Sequence, residues 1–201
     1  ERLDAMVKLW WSEAEKHNVL PLDDRFGPRF AENAARFHGA RSKFTFHAGM
    51  GHVPTGVAPD VRSRSYTIEA HVEIAEDGAE GVLIAHGDAT SGYSLYIKNG
   101  MLVHDLNIGG GHEIVTSDRK VPSGAHRLGV HVERLIRKEP PAKGARTGFT
   151  AYTLLIDGEP AGAIQTQMAF NNFISWSGLD IGRDRSSPVS HYEAPFEFTG
   201  Q

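Results

Sequence analysis

The chain has no cysteine in 201 residues, which removes disulfide frameworks, thiol nucleophiles, zinc knuckles and iron–sulfur clusters from its possible chemistry. Stability must then come from a hydrophobic core, and at this length a compact fold buries roughly 70% of the surface its unfolded chain exposes. Long apolar runs are also missing. The longest, such as Val82-Leu83-Ile84-Ala85, have four residues, far short of the roughly 20 that cross a bilayer as a helix. The reading is a soluble chain with no membrane partner. Positive charge is not in excess: 21 Lys+Arg against 25 Asp+Glu leave a formal charge of -4. The basic residues are scattered and leave no footprint for nucleic acid. The chain opens Glu1-Arg2-Leu3 without a basic-then-apolar leader, so it reads as a piece of something longer.

Catalytic signatures are equally scarce. Eleven histidines are present, yet there is no His-x-His, no His-Glu-x-x-His and no helical i, i+4 pair to bring two imidazoles to one ion. No Gly-x-Ser-x-Gly elbow surrounds any serine. Gly109-Gly110-Gly111-His112 lacks the lysine and the strand-to-helix context of a phosphate loop, and reads as a hairpin loop. Asp180, Asp184, Ser187 and Glu193 surround a turn-rich segment. Such oxygens can ligate calcium, which takes six to eight of them, but Asx-turn hydrogen bonding is the plainer use. Trp176, Tyr93 and Tyr96 offer either stacking platforms for sugar rings or ordinary packing.

What is present is a helical front and a strand-forming body. Leu3, Met6, Val7, Trp10, Ala14 and His17 recur at spacings of three and four and draw one stripe along a helix. Asn18 is placed to cap it, ahead of Pro21. A weaker helix is expected around Pro28, Phe30, Ala34 and Phe37, closed by Gly39. Between Gly39 and Lys43 the period drops to 2. Tyr66, Ile68, Ala70, Val72 and Ile74 alternate with Thr67, Glu69, His71 and Glu73, as in an antiparallel strand with one wet face. On that face His71, between two glutamates, is an ordinary solvated histidine or part of a polar ligand patch.

Two hairpins are signalled by Asn99-Gly100 after Tyr93, Leu95 and Ile97, and by Asp157-Gly158 after Leu154 to Ile156. Further strands are expected at Phe44 to His47, Gly81 to His86, His112 to Thr116, His126 to Glu133, Leu179 to Gly182 and Pro195 to Thr199. The stretch from Arg137 to Arg146, with paired prolines, reads as a solvated loop. The sum is a mainly β fold: a two-sheet antiparallel jelly-roll sandwich of roughly a dozen strands over residues 41–201, behind a helical segment over 1–40.

Two stretches carry a resemblance. The run Leu9-Trp10-Trp11-Ser12-Glu13-Ala14-Glu15-Lys16-His17-Asn18-Val19-Leu20-Pro21-Leu22-Asp23-Asp24-Arg25 resembles the segment that closes the catalytic domain of bacterial arylsulfatases of the alkaline-phosphatase-like family. The body, with residues 92–100, 181–190 and 195–200, is similar to the laminin G-like, concanavalin A-like extension of the same enzymes. The resemblance implies a C-terminal module of a sulfate-ester hydrolase whose own cofactors would be formylglycine and calcium. That family's Cys/Ser-x-Pro-x-Arg signature is absent, since neither Ser187-Pro188-Val189-Ser190 nor Val53-Pro54-Thr55 fits. No catalytic residue is therefore carried over, and the chain itself is expected to be non-enzymatic and cofactor-free. A bacterial parent implies cytoplasm or periplasm.

The expected interaction surface is the helix: Leu3, Met6, Val7, Trp10 and Trp11. Adjacent tryptophans leave a helix about 100° apart. The helix is therefore expected to fold back on the sandwich, to pair with a second copy or to dock on the enzyme's own catalytic domain. A rival expectation is a lectin-like module that recruits a sulfated glycan. An independent hydrolase ranks last: it needs opposed carboxylates about 5 to 10 Å apart, and Glu69 and Glu73 sit side by side on one strand.

Overall fold

A computed structural model of the chain describes residues 1–22, 24–25, 32, 36–76, 78–136, 148–170, 174–185 and 187–201. Helix α1 spans Arg2–Lys16. It closes as the sequence suggests: Asn18 has φ 55°, the Val19 N–H reaches Ala14 O at 2.8 Å and the Asn18 N–H reaches Glu15 O at 3.2 Å. That is a Schellman closure, which satisfies carbonyls the last turn would leave bare. In the weaker helix, Phe37 is helical and Gly39 follows with φ 55°; Pro28, Phe30 and Ala34 lie outside the described residues, as does Arg137 to Arg146.

Nine strands follow among the described residues: β1 Tyr66–Ile74, β2 Gly81–Asp88, β3 Ser91–Lys98, β4 Met101–Ile108, β5 Gly111–Lys120, β6 Gly124–Ile136, β7 Gly148–Ile156, β8 Glu159–Thr166 and β9 Leu179–Ile181. They form two antiparallel sheets, one ordered β1-β6-β7-β8 and the other β5-β4-β3-β2-β9. Both predicted hairpins form, β3 to β4 through Asn99-Gly100 and β7 to β8 through Asp157-Gly158. Asn99 and Asp157 take φ 54°, the left-handed geometry for which those residue types are selected.

The count falls short of a dozen for local reasons. Phe44 to His47 is irregular backbone, with the His47 N–H turned onto the Met50 sulfur rather than into a ladder. Pro195 to Thr199 supplies only an isolated bridge, Glu197 beside Val82, because its amides go to separate acceptors, Phe198 N–H to Gly182 O and Thr199 N–H to Glu80 O, both at 2.9 Å.

The sheets face one another across a core that includes Val72, Ile74, Leu128, Val130, Val132, Leu154 and Ile156 from the first sheet, and Leu83, Leu95, Ile97, Leu102, Leu106 and Val115 from the second. β1 buries only its predicted apolar face, whereas β2, β3 and β4 are buried on both faces. The chain after β9 explains the difference. Val189, Tyr192 and Phe196 lie on the outer face of the five-stranded sheet and pack with Val82, Ala85, Tyr96 and Val103 as a second small core. Gly81 allows the close approach this needs, since a Cβ there would sit 2.3 Å from Glu197 O. No helix of the described residues is long and apolar enough to cross a membrane.

Candidate functional site

Helix α1 keeps its expected interaction residues in solvent. Leu3, Met6 and Val7 are exposed, Trp10 is 47% and Trp11 48% accessible, and Ala14 is the helix's buried residue. The two indoles, expected to diverge, instead meet edge to face at 4.9 Å between ring centroids. Their side-chain torsions bring together rings whose Cα–Cβ bonds point apart, giving one aromatic surface rather than two.

The wet face of β1 and β6 gathers the charged side chains that alternation places there. Glu69 accepts from His71 Nε2 at 3.0 Å and forms an ion pair with Arg127, whose Nε lies 3.3 Å away. Beside them the Asp157 turn is clamped: one carboxylate oxygen accepts the Arg127 N–H and the other accepts His126 Nδ1, both at 2.8 Å. His126 Nε2 donates to Ser123 O at 3.1 Å. Both ring nitrogens thus donate to oxygen, and the bond to Asp157 raises the imidazole's affinity for its proton. Asp157 is held low by the Arg127 amide first and by His126 second. His71, Ala125, His126, Arg127 and Asp157 line a shallow depression of about 380 Å³.

Two of the three rim carboxylates considered for calcium, Asp180 and Asp184, already have partners. Asp180 accepts from His52 Nδ1 at 3.1 Å and from the Arg185 amide at 3.1 Å. Asp184 is buried and accepts from the Val189 amide at 2.9 Å and the Tyr192 hydroxyl at 2.7 Å. Glu193 is exposed and Ser187 is exposed. Among the described residues no group of three His, Cys, Asp or Glu side chains is placed to hold a metal. Of the three aromatics, Tyr93 and Tyr96 are buried, whereas Trp176 is 67% accessible. Trp176 lies between Ser175 and Ser177, both of which donate to Asp88. Burial alone would raise the Asp88 carboxyl; hydrogen bonds from Ser175, Thr90 and Ser177 outweigh it and hold it well below the usual range.

Sequence spacing missed the histidines that the fold brings together. His104, on the inner face of β4, is fully buried with its ring 5.0 Å from Tyr152 and 6.5 Å from Tyr93, both stacked arrangements. Neither of its nitrogens has a hydrogen-bond partner, and burial pushes its pKa down to about 3. His86 is pushed down to about 4, by burial first and by repulsion from His52 second. On the outer face of the same sheet, His112 and His191 meet at 4.3 Å between ring centroids. Seventy-nine positions separate them in sequence (191 minus 112), so no local motif signals the pair; only the return of the C-terminal segment creates it.

The strand pairing defines the class: a two-sheet antiparallel β-sandwich of jelly-roll type with an N-terminal helix. No protein-family model matches the chain, and no curated protein matches it in sequence. Among solved structures it is similar to the mouse laminin α1 chain, domains LG4-5, with a TM-score of 0.48 and 16% identity over 71% of this chain and 32% of that one. The match thus spans about a third of that structure's length.

Proposed function

We propose that the chain is the non-catalytic C-terminal module of a bacterial arylsulfatase, and that it attaches to the catalytic domain through α1. The observation that carries this reading is the run of exposed large apolar side chains, Leu3, Met6, Val7, Leu9, Trp10 and Trp11, on one 15-residue helix. A soluble domain rarely leaves so much apolar surface together without a partner. Burying one tryptophan removes about 150 to 250 Å² from water, worth very roughly 4 to 6 kcal/mol as an upper bound. The resemblance of residues 9–25 to the end of a sulfatase catalytic domain supplies the partner's identity.

The test is made on the whole enzyme. Its coding sequence is expected to carry a Cys/Ser-x-Pro-x-Arg signature ahead of the segment equivalent to Glu1. Deleting the module is expected to lower the enzyme's melting temperature or change its oligomeric state. A reading frame without that signature, or a deletion that leaves stability, assembly and turnover unchanged, refutes the reading.

A second reading, recruitment of a sulfated glycan, is supported by the depression at His71, His126, Arg127 and Asp157, where the Arg127 guanidinium is the group that suits an anionic sugar once it exchanges Glu69 for the ligand. A glycan array probed with the isolated chain and with Arg127→Ala tests it; equal signals, or none, remove it.

A further inference from the structure

We infer that His112 and His191 form a two-imidazole site for a late first-row divalent cation, with Asp105 behind it as the positioning residue. The inference does not depend on the sulfatase reading. His112 Nδ1 lies 2.7 Å from Asp105 Oδ2, so the carboxylate holds the Nδ1 edge of the ring and leaves Nε2 as the atom for a cation. This is the carboxylate–histidine arrangement that fixes tautomer and ring orientation behind a metal ligand. Asp105 is fully buried, and its other oxygen has no partner. A buried carboxylate with one unsatisfied oxygen is costly unless positive charge stands close, and a dication on the far side of His112 supplies it.

His191 comes from the opposite direction on a fixed backbone. Its carbonyl accepts Lys98 Nζ at 2.7 Å, and its neighbours are tied on both sides, Ser190 Oγ to Tyr96 OH at 3.1 Å and Tyr192 OH to Asp184 at 2.7 Å. Its side chain remains exposed, and its ring has no hydrogen bond among the described residues. The rings lie 4.3 Å apart between centroids with 37° between their planes, and turning the exposed His191 ring about its side-chain torsions is the one adjustment the proposed site requires. Both can then reach one ion at the roughly 2.0–2.1 Å of a metal–imidazole bond. Two imidazoles select Cu²⁺, Ni²⁺ and Zn²⁺ over the hard cations that need oxygen cages, with Cu²⁺ held tightest. With two protein ligands, the remaining coordination positions belong to water.

Titration of the full chain with Cu²⁺ at pH 7.5, followed by calorimetry and by electron paramagnetic resonance, tests this. One equivalent is expected to bind ahead of the other surface histidines, with nitrogen hyperfine structure from two imidazoles. His191→Gln, at an exposed position, and His112→Gln are each expected to abolish that phase. His71→Gln is expected to leave it intact, and Asp105→Asn to weaken it about 10-fold. Persistence of the tight phase in His191→Gln, its loss in His71→Gln, or the absence of any phase tighter than general histidine binding overturns the proposal. His191→Gln decides the matter if the buried Asp105 variant fails to fold.

Discussion

Acid should unfold this protein through two histidines that no solvent reaches. His104 and His86 have pKa values near 3 and 4 in the folded chain and about 6.5 once unfolded. Their folded values are depressed, so between those limits the unfolded state binds more protons and stability rises with pH. Stability is complete above about pH 6.5 and is lost as the pH falls toward the folded values. From pH 7.5 to pH 5.0 each histidine is expected to remove about 2 kcal/mol, and the pair about 4. That is a large share of the 5–15 kcal/mol typical of a domain.

The assay is urea unfolding followed by far-ultraviolet circular dichroism, since the exposed tryptophans report poorly on the core. Wild type is compared with His104→Leu at both pH values, so that every other titrating group cancels in the difference. The variant is expected to lose about 2 kcal/mol less than wild type between pH 7.5 and pH 5.0. Because both His104 nitrogens lack partners, the substitution is expected to cost little at pH 7.5. An unchanged pH slope in His104→Leu would refute the reasoning, since it would mean that the ring accepts a proton in place.

Three further outcomes follow from the same geometry. Gly81→Ala forces a Cβ into Glu197 O at a backbone with φ 115°, and is expected to lower stability by about 2 kcal/mol or more; an unchanged urea midpoint contradicts it. Tyr192→Phe removes a donor from the buried Asp184 and is expected to cost about 1–3 kcal/mol, with faster amide exchange over 183–198; native-like exchange there counts against the pinning role of that hydroxyl. Asp157→Asn is expected to drop the His126 pKa toward 6.5, read from ring proton shifts. The raised His126 value means that its stabilisation is full below the unfolded pKa and fades as pH rises through the folded one, so that fading should vanish in the variant.

The strands were legible where one residue type settles a local geometry. Alternation over 66–74 named β1 to the residue, and Asn99-Gly100 and Asp157-Gly158 named both hairpins, because each depends only on neighbours in sequence. Phe44 to His47 shows the limit: its composition suits a strand, but the segment stays irregular and turns its His47 N–H onto the Met50 sulfur. The double-sided burial of β2 to β4 was hidden because Val189, Tyr192 and Phe196 arrive from about a hundred residues away. The same return creates the His112–His191 pair. The helix was easy to draw, but one expectation for its stripe, folding back on the sandwich, is not what the chain shows, since Leu3, Met6, Val7, Trp10 and Trp11 stay exposed, and the meeting of the Trp10 and Trp11 rings depends on side-chain torsions that periodicity does not contain.

The cover over the five-stranded sheet also imposes an order of events on biosynthesis. Strands β2, β3 and β4 leave the ribosome roughly ninety residues before Val189, Tyr192 and Phe196 do, or on the order of 5 to 20 seconds at usual elongation rates. Throughout that interval Val82, Tyr96 and Val103 are bare on a freshly paired sheet. The nascent polypeptide therefore passes through a stage that invites chaperone capture or self-association, and only the late-arriving aromatic residues bring it to a close.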